Sequence, residues 1–201
     1  MTVNRDKVVK NLVEITVVGN EDGLIPNFNV LVNQLPASFW NTFADRMMAA
    51  VPPDRQKELE DALVQCAYEC GYHTGYGIIT SQEFKSVVMP MVTDGAKDVL
   101  RGAYAVFTAW GWAKSGITKI QEGKLMKIRA DDYYEADGAK GERRCAYMIR
   151  GVSTAFFELA YSDPYPNGMG KFICQQTRGI ETGDEIGEFV VQPRTAQPAG
   201  T

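Results

Sequence analysis

Cys145-Ala-Tyr-Met-Ile-Arg-Gly151 opens an amphipathic helix, and Gly179-Ile-Glu-Thr-Gly-Asp-Glu-Ile-Gly187 forms a Gly-rich bend between two short strand patterns. Cys145, Met148, Val152, Ala155, Phe156 and Leu159 recur at three- and four-residue steps, the period of a helix with one buried stripe. Pro164 and Pro166 end that helix, Gly168 and Gly170 follow, and residues 171–177 and 185–191 read as strands. Upstream, residues 117–121 and 125–130 flank Glu122-Gly123, the signature of a β-hairpin. These elements predict an α+β fold: helices packed on one antiparallel sheet of about four strands in a single domain.

The first half is mostly helical in pattern. Asp94 is placed to cap a helix with Ala96, Val99, Leu100, Ala103, Phe107 and Trp110 on one face, stopped by Gly111. Asp54 is placed to cap a longer one that carries Leu59, Ala62, Leu63, Cys66, Ala67, Cys70 and His73. Gly71 and Gly75 lie four apart on it, and two readings stay open: close approach of another backbone or a ligand, or fraying of the helix at Gly75-Tyr-Gly77. Ser38 opens a short helix over 39–48 that ends at Pro52-Pro53. Residues 1–34, with β-branched runs at 13–18 and 28–32 about a turn at 19–23, read as an N-terminal arm or short strands. The domain proper is then 35–191, and residues 192–201, rich in Pro, Ala and Gly, read as a disordered tail.

Composition bounds the function. The chain has 201 residues, 45% apolar and 23% charged, with a net charge of −4 from interspersed acids and bases. That balance offers no electrostatic footprint for a nucleic-acid backbone, so no direct nucleic-acid role is expected. No apolar run reaches the roughly 20 residues of a membrane span, and residues 1–7 carry no signal-like apolar region. The expected location is cytoplasmic, with the four cysteines reduced.

Three constellations carry candidate chemistry. Cys66, Cys70 and His73 share a helical face, a spacing that suits a soft-ligand zinc site but better suits core packing of small thiols. His73, the only imidazole, is the catalytic acid or base if the protein is an enzyme. The aromatics are the stronger signal. Tyr72, His73, Tyr104, Phe107, Trp110, Tyr134, Tyr147 and Phe156 are expected to line a pocket for an apolar or aromatic molecule, with Tyr133-Tyr134 beside Asp131-Asp132 at a rim. Glu142-Arg-Arg144 reads as a solvated helix start, with Arg150 able to add a cation at the pocket. The glycines of 179–187 have acids where a phosphate cradle excludes them, so they read as turns.

The order of these elements over residues 35–191, including Asp132-Tyr-Tyr-Glu-Ala136 and the block from Cys145 onward, resembles the 4-vinyl reductase domain, a ligand-binding module of bacteria and archaea. The resemblance implies an α+β fold shared with haem-nitric-oxide sensors and vesicle-tethering subunits, a ligand space between helices and sheet, and a homodimer. Relatives in aromatic-responsive activators bind zinc through a cysteine before the last helix and through a glutamate and two cysteines near the closing strands. Cys145 matches the first position, but Gln176, Gly179 and Gly187 fall at the others, so no metal is expected. The histidine and tryptophan with which phenol-sensing relatives grip a hydroxyl correspond here to Phe107 and Ala130, so a phenol-type ligand is not implied. No flavin or nicotinamide signature is present, and no cofactor is expected.

The sequence therefore points to a dimeric protein that holds an apolar or aromatic small molecule as a sensor or carrier. An enzyme or accessory subunit acting on a tetrapyrrole or aromatic compound, and a dimeric protein-interaction subunit, are the alternatives.

Overall fold

Four antiparallel strands in the order β3-β4-β6-β5 form the sheet on which the helices lie. They are β3 (Ala113–Gln121), β4 (Leu125–Tyr133), β5 (Phe172–Arg178) and β6 (Gly187–Pro193). The computed structural model describes residues 2–13, 19–138, 141 and 143–194. Alternation along the strands sends Met126, Ile128 and Ala130 of β4 and Phe189 and Val191 of β6 to one fully buried face, while Arg129 opposite Glu188 lies on the other. The β3–β4 turn falls at Glu122-Gly123 as read from the sequence, with Gly123 at φ +61° and Lys124 N–H closing on the Gln121 carbonyl at 3.0 Å.

Two helices cover the buried face: α5 (Gly95–Ala109) and α6 (Tyr147–Tyr161). The long α3 (Gln56–Thr80) packs along α6. It runs unbroken through Gly75 and Gly77, so the fraying reading is set aside. Close approach is the reason for its glycines. A Cβ on Gly71 would lie 3.0 Å from the Val152 backbone, and one on Gly151 of α6 would lie 2.5 Å from the Val64 carbonyl oxygen. The helix end at Gly111 (φ +77°) is a left-handed stop as expected.

Several local readings change. Asp94 makes no side-chain cap; Asp98, fully buried, accepts instead from the Thr93 and Asp94 N–H groups at 2.9 Å each and from Arg101. Those amides and the guanidinium overcome burial and hold its carboxyl down at about 2. Likewise neither Ser38 nor Asp54 caps: α2 (Ala37–Ala49) follows Pro36, and a 3-10 turn over Pro53–Arg55 leads into α3.

The N-terminal region contains a helix, α1 (Arg5–Val13), which buries Val8 and Leu12 against α5. The strand reading of 13–18 otherwise falls outside the described residues. A hairpin follows, β1 (Ile25–Asn27) and β2 (Val30–Val32), whose turn residues Phe28 and Asn29 have positive φ. Phe28 is buried there edge-on to Trp110, and the hairpin sits on Gly77 of α3. A short α4 (Gln82–Val87), capped by Ser81 Oγ accepting from Phe84 N–H, joins α3 to α5. β6 extends through Gln192 and Pro193, two residues into the stretch read as a tail; residues 195–201 and Glu142 lie outside the described set. Among the described residues no helix is long and apolar enough to cross a membrane.

Candidate functional site

α2 roofs a cleft of about 550 Å³ against α3 and the start of α6. Trp40, Phe43 and Met47 of α2 form one wall, and Leu59, Ala62, Leu63 and Cys66 of α3 form the opposite one. Tyr134, Glu135, Cys145, Tyr147 and Met148 close the inner end. The lining is mostly hydrocarbon, with polar side chains both on α2 (Asn41, Thr42, Asp45) and at that end.

The roof is held by few bonds. Asn41 Nδ2 donates to the carbonyls of Tyr134 at 2.8 Å and Asp137 at 3.3 Å. At the other end Gln56 Nε2 donates to the Met48 carbonyl, and Arg143 reaches Gln56 Oε1 at 2.9 Å. Met48 is the one buried side chain of α2. Phe39, Phe43 and Met47, at i, i+4 and i+8, remain 47%, 45% and 38% exposed.

The inner end is more densely hydrogen-bonded. The first turn of a helix has amides without internal partners, and here side chains from three other segments supply acceptors. Glu135 accepts from Met148 N–H at 2.8 Å and Ile149 N–H at 3.0 Å. Gln176 Oε1 accepts from Ala146 N–H, and Glu181 Oε1 accepts from Cys145 N–H at 2.9 Å and from Gln176 Nε2 at 2.8 Å. Tyr133 donates its hydroxyl to Glu181 Oε2 and accepts from Ile180 N–H. Burial pushes the Glu135 carboxyl up to about 8 against the pull of the helix amides. Burial, with Glu181 and Glu135 adding repulsion, pushes the Cys145 thiol up to about 12, and its Sγ donates to the Glu135 carbonyl. A thiol so disposed is no nucleophile at neutral pH.

The same network answers whether the residues fit a zinc ion. At Gly179 a Cβ would lie 2.9 Å from both Gln176 Nε2 and Glu181 Oε2, and at Gly187 one would lie 2.6 Å from the Tyr133 ring. Protein side chains occupy that space and bond to one another. Among the described residues no group of three or more His, Cys, Asp or Glu is arranged to hold a metal ion, and the residues present do not fit one.

The eight aromatic and imidazole positions read from the sequence fall in several places. Tyr134 and Tyr147 line the cleft. Burial raises the hydroxyls of both, that of Tyr147 to about 12. Tyr104, Phe107 and Phe156 are buried and pack edge to face on one another in the core. Trp110 packs on Phe28 outside the cleft. Tyr72 is fully buried, with its hydroxyl accepting from Gly168 N–H at 3.0 Å. His73 is exposed and bonds through Nδ1 to the Tyr165 hydroxyl at 2.9 Å, while Tyr165 stacks on Tyr76 at 3.9 Å. Tyr133 is buried and Tyr134 reaches the cleft, and the two, with Asp132, also border a shallower depression beside Trp112. Arg150 pairs with Glu60. Cys66 and Cys70 are exposed, Cys66 at the cleft wall.

Trp40, Asn41, Phe43, Asp45, Met47 and Glu135 are among the cleft residues that sequence reading did not single out. The signal available was the apolar i, i+4, i+8 stripe of 39–47, in a stretch too short to say which way it faced.

No protein-family model matches the chain, and no curated protein does. Solved structures do. The phenol-responsive sensory domain of the transcription activator PoxR, solved with phenol, superposes with a TM-score of 0.68 at 12% identity, over 96% of this chain and 92% of that one. Trafficking protein particle complex subunit 3 from Naegleria fowleri, covalently bound to palmitic acid, gives 0.55 at 17% identity, over 79% of this chain and 93% of that one. A vinyl-4-reductase family protein from Methanocaldococcus jannaschii gives 0.46 at 12%, over 82% and 85%. At such identities the first two likenesses establish the fold and nothing finer.

Proposed function

We propose that this protein binds an apolar or aromatic small molecule in the cleft between α2, α3 and the start of α6, as a sensor or carrier in the cytoplasm. One observation carries the reading: about 550 Å³ bounded by Trp40, Phe43, Met47, Leu59, Leu63 and Tyr147, a mostly apolar lining with a few polar side chains among it. Organic ligands of drug-like size occupy sites of about 300–1,000 Å³ with this division of surface. Burial of an aromatic guest contributes about 25 cal/mol per Å² of apolar area, offset by the cost of association. Asn41, Thr42, Asp45 and Tyr134 are among the lining residues that could orient a polar substituent. Support also comes from the fold, since PoxR's domain was solved with phenol and the trafficking subunit with palmitic acid. The enzyme alternative lacks such support, because His73 bonds Tyr165 away from the cleft.

Protein purified from its native host is expected to release one organic compound per chain on denaturation, identified by mass spectrometry. Ala62→Phe, which places a ring in the cleft from an exposed helix position, is expected to purify without it. Equal yields from both proteins count against this site.

The exposed stripe Phe39, Phe43 and Met47 supports a second element of the reading, a homodimer. Two copies of α2 related by a twofold axis at Phe43 would set Phe39 of each against Met47 of the other, the self-complementarity an isologous contact requires. Sedimentation equilibrium is expected to give a dimer, and Phe43→Glu a monomer.

A further inference from the structure

The cleft under α2 carries charge of one sign. Asp45, Glu135 and Asp137 lie in its wall, and among the described residues that line it there is no lysine, arginine or histidine. Arg143 stands outside the lining, where Gln56 at 2.9 Å and Glu60 at 3.6 Å engage it.

The carboxylates differ in what they already hold. Glu135 is buried and accepts from two amides of α6, so its oxygens are engaged. Asp45 has no hydrogen-bond or ion-pair partner among the described residues. Its place is set by the helix that bears it. Asn41, one turn earlier on the same face of α2, donates to the Tyr134 carbonyl at 2.8 Å and so turns that face toward the inner end of the cleft. The field there is negative. Burial comes first in raising the Cys145 thiol, but Glu181, Glu135 and Asp45 all add to it, and Arg143 opposes them less strongly than any one of the three acts. Four aromatic residues, Trp40, Phe43, Tyr134 and Tyr147, complete this setting. The face of an aromatic ring carries negative charge density and attracts a cation.

We infer that the α2 cleft selects organic cations: an apolar body bearing an amine that is protonated at neutral pH, with the ammonium beside Asp45 and the hydrocarbon against Leu59 and Leu63. The inference rests on the cleft reading above and adds to it the charge of the guest. An organic acid of the same size finds no cation in the lining to pair with and meets Asp45 instead. Asp45 is exposed to water, so its pair with an ammonium has the strength of a surface pair, and with the ring contacts the preference amounts to about tenfold in affinity.

Isothermal titration at neutral pH with three probes that share one ring system tests this: 1-naphthylmethylamine, a cation; 1-naphthol, neutral; and 1-naphthoate, an anion. The amine is expected to bind about tenfold more tightly than 1-naphthol, and 1-naphthoate more weakly than either. Asp45→Asn is expected to bring the amine within about twofold of 1-naphthol, and Asp45→Lys to place 1-naphthoate ahead of the amine. Asp163→Asn removes the same charge beyond the far end of α6 and is expected to keep the wild-type order, which separates the site from attraction by net charge. Ala62→Phe is expected to weaken the amine with the other probes, and thermal unfolding verifies that each variant is folded. If 1-naphthol binds and the amine binds no more tightly, or if the amine's advantage survives Asp45→Asn, disappears in Asp163→Asn or is untouched by Ala62→Phe, the charge preference is overturned while 1-naphthol binding keeps the cleft reading in place. Absence of binding by all three probes overturns both.

Discussion

Along α3, the face that carries Ala67, Gly71 and Gly75 lies so close to α6 that no side chain larger than a methyl fits at the crossing, whereas the face that carries Leu59, Ala62, Leu63 and Cys66 looks into an open cleft. The inner contact is built from glycines in both helices and closed at its far end by a buried carboxylate. Glu158 of α6 accepts from Lys171 N–H at 2.7 Å, Phe172 N–H at 2.8 Å, Gly170 N–H at 3.1 Å and the Tyr68 hydroxyl of α3. The outer contact is roofed by α2, which buries one side chain and leaves three large ones half out. One helix thus packs as a close wall on one side and faces an open cleft on the other. Rigidity and an open site are kept apart by the helix period alone.

The largest expected effect breaks the inner contact. Glu158→Ala strands the Lys171 and Phe172 N–H groups, each costing about 1–3 kcal/mol, while Gly170 N–H keeps the Tyr68 hydroxyl, and is expected to destabilise by on the order of 4 kcal/mol in urea unfolding. Next, Gly151→Ala pushes a methyl group to 2.5 Å from the Val64 carbonyl oxygen, where only backbone movement relieves it. An overpacking loss of about 3 kcal/mol is expected, read as a lower unfolding midpoint at unchanged slope. Both losses should dwarf any change on the cleft face.

A pH series sharpens the comparison at the junction of the two regions. Burial raises Glu135 to about 8, above its ordinary 4.5. The native state therefore holds this proton where the unfolded chain releases it, so stability is fully present below about pH 4.5 and is lost as pH rises through about 8. The slope expected from this group is at most about 1.4 kcal/mol per pH unit. Glu135→Gln, which cannot ionise, is expected to flatten the unfolding midpoint across that window. A midpoint that rises with pH there in the wild type would mean the helix amides, not burial, govern this carboxyl.

Much of the inner region was legible in the sequence. The stripes of α5 and α6 and the Glu122-Gly123 turn follow from period and turn chemistry, and the spacing of Gly71 and Gly75 already suggested a close neighbour. α1 was not legible, because Val8 and Leu12 are its only buried residues in a charged stretch of nine. The caps misled for a related reason. Asp94 has the right type and position, but Asp98 one turn later reaches the same amides from a buried site.

For the candidate site, sequence period places Tyr104, Phe107 and Phe156 on inward faces, but it does not say whether an inward aromatic meets a ligand or another aromatic; here they meet each other. Tyr134 and Tyr147 reach the cleft, and the α2 wall opposite them depends on where a helix lies relative to α3, a tertiary fact with no local signature.

The cleft itself is tested most directly by isothermal titration of the protein with 1-naphthol, an apolar double ring with one hydroxyl, on wild type and on Ala62→Phe. The expected result is saturable binding of one molecule per chain, weakened at least tenfold in the variant while its melting temperature is unchanged. Absence of binding by the wild type, or the same affinity in both proteins, would contradict the account.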